Sequence, residues 1–438
     1  MTIQTWMRER EAEMLALLSE LCAVPSISGT PECERALMLA LQRAQEMGFE
    51  ARHGKGRYGV VTMGKGDKRL GMIAHMDVVP AGEGWQYPPF GLTRVGEYVI
   101  GRGSQDNKGA AVLALYIMRY LREQNVPLGG ALELILGTSE EDGMQDMQDY
   151  LANEVPPDLT LVLDCDYPVC YGQKGHYNGT ICVPVSSSVI RASGGAVPNM
   201  VPAQACITLL DERLQEHLLT ATGVASHAAS PQQGVNAVRK LLHLLLNGDF
   251  PIDALTRHSI AELAEVLVDD AGAAFDLNRS DAVFGATTMV GSVFSVEDGW
   301  LTLSLDMRFP ACLSAQAVVH AVDCYAVKHG MQVRKVACSD AFYINPEDAQ
   351  VQCMMEVYRE CTGDARPAFV MGGGTYSRAL PRAVTFGPSM PHALDHVGQV
   401  LPKGHGGAHQ PDEALHIPSY LESAGIIGTA VERLSWKL

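Results

Sequence analysis

Apolar residues at helical spacing open the chain. Trp6, Met14, Leu15, Leu18 and Leu21 predict one helix over about 5–22, and after the loop Pro25–Gly29 a second runs from near Pro31 to about Met47. The period then changes. Leu70-Gly-Met-Ile-Ala is a continuous apolar run that ends in His75-Met-Asp77, Ala131–Leu136 ends in Gly137-Thr-Ser-Glu140-Glu141, and Leu159–Leu163 ends in Asp164. Short apolar runs closed by polar turns read as buried strands. A helical segment at about 107–122 and a short one after Glu141 separate them. Strand, helix, strand in alternation predicts an α/β fold, a mostly parallel mixed sheet with helices on both faces. In such sheets the carboxyl ends of the strands form the ligand crevice.

From about residue 178 the texture differs. Thr180-Ile-Cys-Val-Pro-Val, Gln204-Ala-Cys-Ile-Thr-Leu-Leu and Trp300–Arg308 read as strands, with helical patterns at about 233–247, 257–270 and 314–329. The expected organisation is a first part of one domain over 1–178, an inserted α+β domain over 179–342, and a return to the first domain over 343–438. The return opens with a helix at about 347–361 and closes with one at about 413–436. Between them lie two flexible loops, Gly372-Gly-Gly-Thr-Tyr376 and Gly404-His-Gly-Gly-Ala-His409.

Charge at the end of a hydrophobic strand is costly unless it is paired or bound to metal. Glu140 and Glu141 are adjacent and point different ways, which suits one for holding a metal and its neighbour for handling a proton. His75, Asp106, Glu141, Asp164 and His409 are imidazole and carboxylate groups of the kind that ligate zinc, cobalt or manganese. Two such ions about 3.5–4 Å apart would relieve the repulsion among crowded carboxylates. Each residue alone also has a plain structural reading. A strand-end His is often structural, an Asp before a helix is an N-cap, paired Glu at a helix start complements the macrodipole, and His409 in a glycine-rich loop is simply exposed.

Composition narrows the classes. The 438 residues are 47% hydrophobic and 19% charged, ordinary for globular domains, and 50 acidic against 33 basic residues give a formal charge of -17. That balance speaks against nucleic acid and anionic membrane as partners. Eleven scattered cysteines without a Cys-x-x-Cys pair suit a reducing cytoplasm. The charged N-terminus does not read as a signal peptide.

The motifs resemble a known family. His75-Met-Asp77-Val-Val-Pro80 followed by Gly84-Trp-Gln-Tyr-Pro-Pro-Phe90, Gly101-Arg-Gly-Ser-Gln-Asp106-Asn-Lys-Gly109 and Ser139-Glu140-Glu141 are similar to the metal motifs of the co-catalytic dinuclear metallopeptidases. That family contains aminoacylases, acetylornithine deacetylase, succinyl-diaminopimelate desuccinylase and dipeptidases. Asp164-Cys-Asp-Tyr-Pro168, Gly172-Gln-Lys-Gly175, Pro198-Asn-Met-Val-Pro202, Gly372–Tyr376 and His409-Gln-Pro-Asp-Glu413 resemble its PepV-type dipeptidase branch. Asp412 stands where the family usually has Asn, and Gln173 where dipeptidases often carry Glu.

The resemblance implies two divalent metal ions, zinc before manganese or cobalt. His75 and Asp164 would hold one, Glu141 and His409 the other, and Asp106 both, with Asp77 orienting His75. Glu140 would serve as general base and then acid. In the inserted domain, expected to be a lid, His227 of Ser226-His-Ala-Ala-Ser-Pro231 would stabilise the oxyanion, and Asn199 and Arg308 would grip substrate. Gly373, Gly374 and Thr375 would place backbone donors near a substrate carboxylate, or only make a tight turn. Asn199 equally reads as a turn residue, Arg308 as a partner of Asp306, and His227 as a cap of the helix near 233. The implied function is a cytoplasmic metal-dependent dipeptidase acting on short peptides with a free N-terminus, as a monomer before a homodimer. An N-acyl-amino-acid deacylase and a catalytically silent metal- or peptide-binding protein are the alternatives.

Overall fold

The computed structural model describes residues 1–438 and divides them into two compact units. The first comprises Met1–Tyr171, Ile344–Phe369 and Gly374–Leu438. Its sheet runs in the order Glu50–His53, Tyr58–Met63, Ala131–Gly137, Arg69–His75, Leu159–Val162, Ala383–Phe386 and then the strand that begins at Val169. The four central strands are mutually parallel, and antiparallel strands flank them on both sides. The α/β class expected from the apolar runs is the class observed.

Burial explains those runs. All seven residues of Ala131–Gly137 are buried, as they must be when helices cover both faces of a parallel sheet. Side chains alternate between two cores. Leu70, Met72, Leu132, Leu134, Leu136, Leu159 and Leu161 face a large one shared with the helices Lys108–Glu123, Ala349–Thr362 and Ile417–Ser435. Ile73, Ile135 and Val162 face a smaller one with Met147, Tyr150 and Tyr376.

Three expectations need adjustment. The helix expected over 5–22 is two helices, Ile3–Glu9 and Glu11–Cys22, because Arg10 leaves helical geometry at φ -115°. Its guanidinium stacks 3.9 Å from the centroid of the buried Trp6 ring and bonds Glu123. The last helix starts at Ile417, after Ala414–His416 has paired as a strand with Tyr98–Ile100. The loop Gly372–Tyr376 is pinned at its end, since Tyr376 is fully buried.

The second unit comprises Gly172–Tyr343 and Val370–Gly373. Its seven-stranded sheet is antiparallel throughout, in the order Glu216–Thr222, Gln204–Leu210, Val189–Gly194, Thr288–Glu297, Trp300–Phe309, Gly175–Pro184, Gln332–Ser339. Apolar side chains of the sheet pack with the helices Ala237–Asn247, Ala254–Val266 and Ala315–Lys328 into a core of their own. This is the α+β texture the sequence pattern predicts.

Candidate metal centre

Strand register brings the chemistry together. His75 pairs opposite Gly137, and Ile73 opposite Val162, so the residues that follow each strand emerge at one end of the sheet. His75 Nε2 lies 2.9 Å from Asp106 Oδ1 and 3.9 Å from Asp164 Oδ1. His409 Nε2 lies 3.2 Å from Asp106 Oδ2 and 3.0 Å from Glu141 Oε1. Asp106 therefore faces one imidazole with each oxygen. His75, Asp106, Glu141, Asp164 and His409, drawn from five separate segments, share one site in the first unit.

Asp77 does more than orient an imidazole. His75 Nδ1 sits 2.9 Å from the Asp77 backbone oxygen and 3.4 Å from its carboxylate. That carboxylate also accepts the backbone N–H groups of Glu140 at 3.2 Å and Glu141 at 3.1 Å, and the Ser28 hydroxyl at 2.6 Å. His75 and the Glu140-Glu141 turn are thus tied to one buried carboxylate.

Residues of the quoted motifs that are given no ligand role complete the frame. Glu413, fully buried, accepts the backbone N–H groups of Gly103, Gln105 and Asp106 and the Arg102 guanidinium, and so fixes the loop that carries Asp106. Asn107 accepts the His75 N–H at 3.1 Å and donates to Asp164 at 3.0 Å. Asp412 accepts the N–H groups of Gln86 and Tyr87 and bonds His405 at 2.7 Å, which anchors the aromatic loop after His75 to the His409 loop. His409 itself has a left-handed backbone, φ 64°. A non-glycine residue there is strained, and such strain concentrates at functional sites.

The electrostatics call for positive charge. Burial disfavours the charged form of His75, yet hydrogen bonds to Asp106 and Asp77 outweigh it and hold the imidazole well above its ordinary range. His409 is likewise pushed up to about 11, burial being overcome by Asp106 and Glu141. Burial, then the charge of Asp106, raises Asp164 to about 7, and burial followed by Asp164 raises Glu140 well above a usual carboxyl. Without cations the site gathers protons. Divalent ions answer the same need, and the donor set fits them: His75, Glu140 and Asp164 form one group, and His75, Asp106 and Glu141 another, with ligand atoms within 4.8 Å of one another.

The remaining candidates lie apart from these residues in the chain. In the second unit His227 is exposed, Met200 pairs with it as an isolated bridge, and the Asn199 carbonyl accepts the Ala228 N–H at 2.9 Å. Arg308 is held bidentate by Asp306 at 2.7 and 2.8 Å and donates to the Gly372 carbonyl at 3.1 Å. Gly373 belongs to this unit, Gly374 and Thr375 to the first. The Thr375 hydroxyl caps the turn at Tyr376–Arg378 and bonds Thr385, so it is engaged in structure.

The sequence pattern of peptidase family M20/M25/M40 matches residues 71–433. The Beta-Ala-Xaa dipeptidase of Lactobacillus delbrueckii subsp. lactis is 28% identical over 423 residues, covering 86% of this chain and 89% of that protein. The Bacillus subtilis (strain 168) protein YtjP is 24% identical over 432 residues, covering 91% and 90%. Human carnosine dipeptidase 1 shares the fold, with a TM-score of 0.64 at 14% identity, over 100% of this chain and 98% of that one.

Proposed function

The chain belongs to peptidase family M20/M25/M40, and from that premise we propose that it is a metal-dependent dipeptidase acting on short peptides with a free amino terminus. The observation that carries this reading is the site itself: two imidazoles and four carboxylates, Glu140 among them, gathered in one place. The dipeptidase relative aligned along most of the chain supports the substrate class.

His75 and Asp164 would hold one cation, Glu141 and His409 a second, and Asp106 both. Bound divalent ions, zinc before manganese or cobalt, would supply Lewis acidity to the scissile carbonyl and neutralise the carboxylates. Glu140 takes a proton from the attacking water and delivers it to the leaving amine. Asp77 keeps His75 and the Glu140 backbone in place. By family resemblance His227 stabilises the oxyanion, Asn199 and Arg308 grip the substrate, and Gly373, Gly374 and Thr375 offer backbone donors, the inserted α+β domain serving as lid. His227→Ala should then lower kcat roughly 10²–10³-fold with metal content unchanged. Unaltered kcat would remove His227 from the mechanism.

Eleven cysteines scattered without a Cys-x-x-Cys pair support a reducing, cytoplasmic setting, and no helix is long and apolar enough to cross a membrane. A monomer is the expected state, checked by light scattering.

The test is a panel of free dipeptides and N-acetylated amino acids, each with and without chelator. Chelator-sensitive hydrolysis of the free dipeptides is expected. Cleavage confined to the acylated compounds would make the protein a deacylase, and binding without turnover would make it a carrier.

A further inference from the structure

The turn from Thr138 to Glu141 presents four consecutive backbone N–H groups, and two buried carboxylates accept all of them. Asp77 takes those of Glu140 and Glu141. Asp146, in the first turn of the helix Gln145–Asn153, takes those of Thr138 at 2.7 Å and Ser139 at 2.8 Å through Oδ2. Ser139 answers by accepting the Asp146 N–H on its hydroxyl at 2.9 Å. The same Asp146 oxygen accepts the Tyr376 hydroxyl, and both side chains are fully buried.

Gly137 makes this meeting possible. A Cβ at that position would overlap both the Tyr376 hydroxyl and Asp146 Oδ2, so the strand has to end in glycine for the phenol to reach the carboxylate. The Tyr376 ring in turn stands edge-on to His75, 6.3 Å between centroids at 86°. One tyrosine, at the end of the glycine-rich loop, therefore touches a metal ligand and the carboxylate that shapes the turn of the base.

We propose that Asp146 and Tyr376 are positioning residues for the hydrolytic reaction: together they lock the Thr138–Ser139 backbone and thereby aim the Glu140 carboxyl, a role that rests on the function assigned to Glu140 above. Asp77 fixes the second half of the turn and Asp146 the first. With only Asp77 in place the turn can pivot about its last two residues. Displacements of about 1 Å at a reacting group cost up to roughly a hundredfold in rate. Tyr376 supplies the hydroxyl that Asp146 would otherwise lack, since a buried carboxylate short of donors seeks others and shifts.

The experiment compares the metal-loaded full chain with Tyr376→Phe, Asp146→Asn and the double variant on a hydrolysed dipeptide. Tyr376→Phe keeps the ring against His75 and removes a single oxygen. Each single variant should lose about ten- to a hundredfold in kcat, with KM within about twofold and metal content unchanged. The double variant should be no slower than the poorer single one. Amide exchange at Thr138 and Ser139 should quicken in both single variants. Wild-type kcat in Tyr376→Phe, additive losses, or metal loss in step with activity would each overturn the lock. If the wild type hydrolyses no peptide, the dipeptidase reading alone falls, and unchanged exchange at Thr138 and Ser139 would still refute the proposal.

Discussion

Glu413 accepts the backbone N–H of Asp106 at 2.9 Å while its other oxygen holds Arg102 at 2.7 Å, both side chains of that pair being essentially inaccessible. The carboxylate that shapes the Asp106 loop thus comes from four residues beyond His409. Two candidate ligands are fixed to each other through it. Removing one partner of a buried ion pair strands the other, at about 3–5 kcal/mol. Glu413→Ala should lower unfolding free energy by that amount and reduce metal content, measured by denaturant titration and elemental analysis. A loss below about 1 kcal/mol, the worth of an ordinary hydrogen bond, would contradict the role given to this residue.

Glu140 and Glu141 should separate by role. Glu140→Ala is expected to lower kcat roughly 10²–10⁴-fold and leave metal content nearly intact. Glu141→Ala, which deletes the partner of His409, should lower metal occupancy first. Equal metal loss in both variants would mean that Glu140 is itself a ligand, as its grouping with His75 and Asp164 allows.

Removing metal should weaken the fold as well as the activity. The carboxylates and imidazoles of the site then face one another without the cations that would hold them together. A chelator should lower the unfolding midpoint, and added zinc or manganese should restore it, by about 4 kcal/mol when free ion exceeds its dissociation constant a thousandfold. An unfolding curve indifferent to chelator would argue that the donors are not a metal site.

In the second unit, pH dependence should appear at Asp253, the N-cap of the helix Ala254–Val266. Its carboxylate accepts the Thr256 N–H at 3.0 Å and the hydroxyls of Thr256 and Ser186. Partial burial opposes its charge, but these bonds hold its proton affinity below the usual carboxylate range. The folded form therefore releases its proton more readily than the unfolded one. Stability from Asp253 is present above about pH 4 and is lost as pH falls below it. Asp253→Ala should cost about 1 kcal/mol at pH 7, and the gap between variant and wild type should narrow progressively as pH falls below about 4. A gap independent of pH would show that the charge does not matter.

Much of the fold is legible in the sequence. The parallel strands announce themselves as apolar runs because helices cover both faces, and a carboxylate or imidazole at the end of such a run stands out for the same reason. His75, Glu140, Glu141 and Asp164 stand out in this way. Glu413 and Asp146 carry no comparable mark. Most of their partners are backbone amides, which every sequence possesses, so residue type alone does not reveal what they hold. Arg10 was hidden differently: Trp6, Leu15 and Leu18 keep the helical period across it, and the break follows from contacts to Trp6 and Glu123 that are visible in three dimensions alone.

The pairing of Glu141 with His409 spans most of the chain, and Asp106 is shaped by a residue further along still. No contiguous fragment that stops short of the glycine-rich 404–409 loop can close the centre. During synthesis, all the strands of the first sheet can emerge while the machinery for cutting peptide bonds is still missing its last corner. Closure of the centre therefore waits on the synthesis of residues 409–413, an order that follows from which segments supply Glu141 and Asp106 with their partners.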